Sequence, residues 1–266
     1  MIRIETRGAF VFATLDAPAT RNALTDAMVA GLADALRLAD SLPTARALVI
    51  RGTGGTFCAG GDFSGFRASM AIPAPADAAD PIATGNRRFG TLLEQWRGTS
   101  VATIAVVEGG AIGGGCGLAA ACDIVLAASG AKFATPEVTL GLPPAQIAPF
   151  LADRIGERAA LRLLLTGRRL DAAQALAFGL ADEVLAADAL DARLHELLTE
   201  LGRAEPAALR AAKAIVRHPG PRADTLDFAA RAFAAALRSG TASEGLAALR
   251  EKRAAAWTAA PERPAT

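Results

Sequence analysis

A chain of 266 residues, 52% of them apolar, can bury a large core and needs neither a disulfide framework nor a structural metal to hold it. Its 28 basic and 27 acidic residues nearly cancel, which excludes a long-range field for nucleic acid or an anionic membrane and leaves any anionic ligand to local groups. Three cysteines, Cys58, Cys116 and Cys122, beside glycine or alanine read as small buried thiols of a reducing compartment, and the N-terminus lacks a basic start followed by an apolar signal core. With no apolar run of about 20 residues, the expectation is a soluble cytoplasmic protein without nucleic-acid or membrane partners.

In chain order, the first half alternates strand-like and helix-like blocks: GAFVFATLDA, TDAMVAGLADALRLADS, ARALVIRGTGG, TGNRRFGTLLEQWRGT and VATIAVVEGG. That rhythm predicts an α/β core. A short glycine-rich helix is expected over 112–121, strands at DIVLAA (123–128) and from Lys132, and a mobile surface loop over the proline-rich residues 68–83. From about residue 145 strand signals nearly vanish, and Ala, Leu and Phe recur at helical spacing up to a frayed tail. The division expected is a core over 1–200 and a helical region over 201–266.

Two glycine-rich segments follow predicted strands, RGTGGTFCAGGDFSGF (51–66) and VEGGAIGGGCGLAAACDI (107–124). Glycine there permits positive φ and close approach of a ligand to the backbone, and the second run feeds a helix whose first N–H groups lack intrahelical partners. Two such donors aimed at one oxygen would form an oxyanion hole. Tight turns without a ligand are the competing reading, and Gly115-Cys116-Gly117-Leu118-Ala119-Ala120 also matches a variant of the dinucleotide fingerprint, with Glu137 about 20 residues on. A phosphate P-loop is excluded because neither segment runs into Gly-Lys-Ser/Thr. His195 and His218 lie outside every motif, and no His/Cys cluster has zinc spacing, so neither a hydrolase triad nor a metal site is expected.

In their order and spacing, DAPATRNALTDAM (16–28), FCAGGDF (57–63), GGAIGGGCGLAAACDI (109–124), ATPEVTLGLPP (134–144), LTGRRLDAAQALAFGLADEV (165–184) and EGLAALREKRAAAW (244–257) resemble the enoyl-CoA hydratase/isomerase (crotonase) family across nearly the whole chain. The resemblance implies a crotonase-like spiral of ββα units with a helical C-terminal trimerisation region, assembled as homotrimers or as hexamers made of two trimers. It places the backbone donors on Gly61 and Gly114, where they would bind a thioester carbonyl oxygen and stabilise an enolate-like transition state. No cofactor is implied, since coenzyme A belongs to the acyl-CoA substrate. Arg21 and Lys252 match basic positions near the coenzyme phosphates, Lys252 from a neighbouring subunit, and Phe57 and Ala59 match the adenine and pantetheine path.

Many hydratases of that family use two glutamates, and this chain carries Gly117 and Glu137 at the two positions. One carboxylate suits a proton shift from C2 to C4, the chemistry of a Δ3,Δ2-enoyl-CoA isomerase. Hydration requires water held by another group, for which Gln146 is the candidate. The segment GLPPAQIAPF (141–150) is similar to that of family hydratases acting on branched enoyl-CoAs such as isohexenylglutaconyl-CoA, so hydration leads. Isomerisation and a catalytically silent acyl-CoA binder follow. Asp62 and Asp123 read as structural acids.

Overall fold

The computed structural model describes residues 1–62 and 80–261. The chain opens with an antiparallel hairpin, β1 (Ile2–Arg7) and β2 (Phe10–Leu15), turned at Gly8 with φ of 56°. β3 (Ala47–Gly52), β4 (Ala102–Val107), β6 (Ile124–Ala128) and β9 (Glu183–Leu185) then add in parallel, giving the order β1-β2-β3-β4-β6-β9. A second sheet joins β5 (Gly110–Ile112), β7 (Lys132–Ala134) and β8 (Arg169–Asp171). The chain thus alternates between sheets: β4 feeds β5, and β6 feeds β7. Beyond β3, Cys58 bridges to Ala111 of β5, so the first glycine segment enters the second sheet in the same way. This repeated step is the spiral of the crotonase-like fold.

Both faces of the large sheet are covered, as a mostly parallel sheet requires. Leu48 and Ile50 of β3, Ala105 and Val107 of β4, and Val125 and Ala127 of β6 point into one cluster. The intervening Val49, Ile104, Val106 and Leu126 point into another. Against the first pack α1 (Asp26–Ser41), α2 (Pro81–Gly98) and α3 (Gly114–Ala121). Against the second packs α7 (Leu190–Gly202), through Leu190, Leu194, Leu197 and Leu198. α1 begins at Thr25, whose hydroxyl accepts the Met28 N–H at 3.2 Å, and buries Met28, Leu32, Ala35, Leu36 and Ala39 along one stripe.

Three expectations change. β8 and β9 lie beyond residue 145, where strand signals nearly vanish; at three residues each they are too short to show alternation. The glycine-rich helix starts at Gly114, because Gly110–Ile112 pairs as β5. Of the expected loop, residues 68–79 lie outside the described residues, but Asp80 caps α2 by accepting the Ile82 N–H at 2.8 Å, with Pro81 in the first helical turn.

After α4 (Ala148–Ile155), α5 (Glu157–Thr166) and α6 (Ala172–Ala177), the chain ends in α8 (Pro206–Val216), α9 (Arg222–Arg238) and α10 (Thr241–Glu251). α8 is fastened to the sheet at Asp123. One of its carboxylate oxygens accepts from Thr103 N at 2.8 Å, Thr103 Oγ1 at 3.0 Å and Lys213 Nζ at 2.7 Å, while the other accepts from Arg217 at 2.5 Å. Burial pulls the Lys213 ammonium below its ordinary value, against the opposing effect of Asp123. Replacing Asp123 by alanine leaves that ammonium without its counter-charge. Thermal unfolding of Asp123→Ala is therefore expected to show a loss of about 2–3 kcal/mol.

Candidate active site

The two glycine segments meet at the junction of the sheets. The Cys58 N–H donates to Gly110 O at 2.9 Å, and the Ile112 N–H returns to Cys58 O at 2.9 Å. On its other side the first segment is held by residues 21–24: Ala59 N–H donates to Arg21 O at 3.0 Å and Leu24 N–H to Gly60 O at 2.8 Å. Asn22, wholly buried, organises this turn. Its side-chain amide donates to Thr53 O at 3.0 Å and Thr56 O at 2.7 Å and accepts the Ala17 N–H at 2.8 Å. Its φ of 57° is a conformation that Asn tolerates better than most residues. That role was open to reading in TRNAL, where an amide stands between turn residues.

Close approach explains the glycines. A methyl group on Gly60, which has φ of 93°, would lie 2.8 Å from Ile112 O and 3.5 Å from Gly114 N. One on Gly115 would lie 2.7 Å from Cys58 Cβ. These contacts set the first helical residues of α3 beside the Gly60-Gly61 backbone. Among the described residues, neither the Gly61 nor the Gly114 N–H donates to a protein acceptor, and the latter opens α3 where the helix dipole is positive.

Glu137 stands in the first turn of a 3-10 helix (Pro136–Leu140) that follows β7, terminated by Gly141 at φ of 76°. Its Oε1 would be 2.8 Å from a methyl on Gly113, the residue that caps α3. Its Oε2 is buried without a hydrogen-bond partner. Burial pushes the carboxyl above its ordinary value, only partly offset by its own backbone N–H. An acid half withdrawn from water, with one oxygen against the cap of α3 and the other buried and free, can take up and return a proton.

The remaining expected residues separate. Ala59 is half-buried beside Arg21, and the Arg21 side chain is exposed from a backbone with φ of 53°. Lys252 caps the exposed end of α10 with φ of 54°. The Phe57 side chain is wholly enclosed in the core. Gln146 donates to Asn86 of α2 at 2.7 Å and so stands against that helix. Phe89 and Leu24, which sequence reading passed over, flank Gly114: a methyl there would be 2.7 Å from Leu24 Cδ1 and 3.4 Å from the Phe89 ring. The dinucleotide reading fails, because Gly115 and Gly117 are filled from within the fold, Gly117 by Ile147, whose Cβ would lie 2.7 Å from a methyl on it. The three cysteines are fully buried, their thiols pushed up to about 12 chiefly by burial, which leaves no thiolate for nucleophilic work.

A spiral of ββα units that brings two glycine-rich backbone segments together beside one half-buried carboxylate is an arrangement of the crotonase type. The enoyl-CoA hydratase/isomerase family profile matches residues 5–260, and the chain belongs to that family. It is similar to a solved enoyl-CoA hydratase/isomerase from Marinobacter aquaeolei, with 38% identity, a TM-score of 0.93, and coverage of 97% of this chain and 99% of that one. It is also similar to the solved Pseudomonas aeruginosa AtuE, with 41% identity, a TM-score of 0.91 and coverage of 97% and 99%. A probable enoyl-CoA hydratase of Mycobacterium bovis is 36% identical over 250 residues, covering 92% of this chain and 93% of the relative.

Because burial raises the Glu137 value on folding, its stabilising contribution is complete below the ordinary carboxylate value and is lost as pH rises through the raised one. Glu137→Gln removes that loss. The variant is expected to melt higher than the parent at pH 7 to 8, with the two converging below about pH 4, the range of an ordinary glutamate.

Proposed function

We propose that the protein hydrates a 2-enoyl-CoA. The observation that carries this is the Glu137 carboxylate, packed against the Gly113 cap of α3, next in the chain to the free N–H of Gly114, with its other oxygen buried and unpartnered. The thioester carbonyl oxygen accepts both N–H groups, which draws charge from the β-carbon and stabilises the enolate as it forms; one such donor is worth roughly 2.7–4 kcal/mol in comparable sites. Glu137 removes a proton from water as its oxygen bonds to C3, then delivers that proton to C2. One carboxylate therefore completes the addition, with hydroxide gained at C3, hydrogen at C2 and the base regenerated. Gln146, fixed by Asn86, is the polar side chain offered to the water.

The same groups can move a proton from C2 to C4 of a 3-enoyl-CoA, so isomerisation is the second reading; its support is the single carboxylate. Branched acyl groups are the substrate class suggested by the 141–150 segment. No cofactor is needed beyond the coenzyme A of the substrate, and Arg21 and Lys252 are the proposed phosphate contacts, with Ala59 beside the pantetheine. We infer assembly into a homotrimer or a hexamer: Leu226, Phe233 and Leu237 share a face of α9 and are 63%, 68% and 52% exposed, a surface suited to another copy of the chain. A cytoplasmic location is proposed; among the described residues no helix is long and apolar enough to cross a membrane.

Incubation with 2-enoyl- and 3-enoyl-CoAs, followed by separation of the 3-hydroxyacyl and double-bond isomers, tests the reaction. Water addition to the 2-enoyl thioester is expected, and exclusive double-bond migration overturns hydration in favour of isomerisation. Glu137→Gln should retain acyl-CoA binding and lose turnover by about 10²–10⁴-fold. The acid limb of kcat/KM should fall above the ordinary carboxylate range, because Glu137 must be ionised to act and its value is raised. Sedimentation of the intact protein should show three or six copies.

A further inference from the structure

Residues 146 and 147 form a wedge seated in two notches, each made by a glycine in a helix. On one side Gln146 crosses α2 at Gly90, where a methyl would lie 2.9 Å from Gln146 Cδ and closer still to its Oε1. Its amide reaches Asn86, one turn earlier on the same helix. Glycine inside a helix costs about 1 kcal/mol relative to alanine, and this crossing is the reason it stands there. On the other side Ile147, 3% exposed, enters the space over Gly117 of α3.

Gly117 lies four residues beyond Gly113, to whose carbonyl its N–H donates at 3.0 Å, so the two share a helix face. Gly113 is the residue against which Glu137 Oε1 packs. Along that face the carboxylate therefore comes first and Ile147 next, about 6 Å further on at 1.5 Å rise per residue. An acyl group held by its carbonyl oxygen at the start of α3, with its reacting carbons beside Glu137, meets Ile147 near the β-carbon and its substituents.

We propose that Ile147, held in place by Gln146, is the residue that determines specificity in this site, bounding the acyl group at its β-carbon from the volume that a side chain at position 117 would otherwise take. The proposal rests on the reading of Gly61, Gly114 and Glu137 as the thioester site. It implies a wall that is apolar and shaped, admitting hydrocarbon there and no second acid. The Gly117 notch and the Ile147 bulk must then change together.

The test compares Ile147→Val and Ile147→Ala with the parent on paired acyl-CoAs that differ by one methyl group at C3. One methylene in an apolar pocket discriminates about 10–200-fold, so Ile147→Ala should shift the kcat/KM ratio toward the bulkier member by about 10-fold or more, with Ile147→Val between. A ratio unchanged within about 2-fold in both variants overturns the proposal, because a merely structural isoleucine would lower stability without moving selectivity. Should the parent turn over neither substrate, the same ratio is read from the Kd values of the saturated pair. A shifted binding ratio then upholds Ile147 while the hydratase reading fails, and an unshifted one rejects the proposal on its own. Unfolding supplies a second measurement: Gly117→Ala should destabilise the parent and do so far less beside Ile147→Ala, whereas equal losses in both backgrounds remove the wedge.

Discussion

The site depends on one backbone contact, the pairing of Cys58 with Ala111 that brings the end of the first glycine segment against the start of β5. Two hydrogen bonds of 2.9 Å hold it, and neither uses a side chain. Everything nearby is arranged to let two main chains come that close: no Cβ fits at Gly60 or Gly115, and Cys58 and Cys116 fill the remaining space as inert, buried thiols. The N–H groups of Gly61 and Gly114 are what this approach leaves over. Backbone N–H groups so placed are rigid, since they are fixed by the sheet junction and by α3 rather than by rotamers. Such preorganisation is what makes a donor effective toward charge that exists only in the transition state.

That geometry was largely legible because glycine reports on the backbone. Runs such as CAGG and GGGCG after predicted strands restrict what the chain can do there, and a close approach is what such runs permit. Glu137 was legible by its place in register with the family motifs, but its defining property, a buried oxygen without a partner, arises only when α3 is capped beside it. The burial of Phe57 was not legible, because a phenylalanine in a glycine segment can face a ligand or the core, and local sequence does not distinguish them. The short strands β8 and β9 escaped for a related reason. Arg169–Asp171 and Glu183–Leu185 pair through backbone with β7 and β6 already in place, so their strand character is conferred by the sheet.

Gly117 shows the limit most clearly. The absence of a carboxylate at that position is plain in the sequence, and its cause is not. The structure supplies an occupant, Ile147, from a segment thirty residues away, and the same turn lodges Gln146 on α2 at Gly90. A missing side chain and a filled volume are one fact seen from two elements.

Charge completes the logic. A near-neutral chain has no broad field to gather an anion, and two of the three non-glycine residues with positive φ among the described residues are the cations Arg21 and Lys252, the third being Asn22. Arg21 shares its turn with Asn22 and with the carbonyl that receives the Ala59 N–H. The strained backbone that fixes the first glycine segment therefore also fixes where the arginine leaves the surface. Strain of about 1–3 kcal/mol per such residue persists only where surrounding contacts impose it. Here those contacts are the three hydrogen bonds of the buried Asn22 amide, so the course of the first glycine segment and the point where Arg21 leaves the surface are set by one side chain.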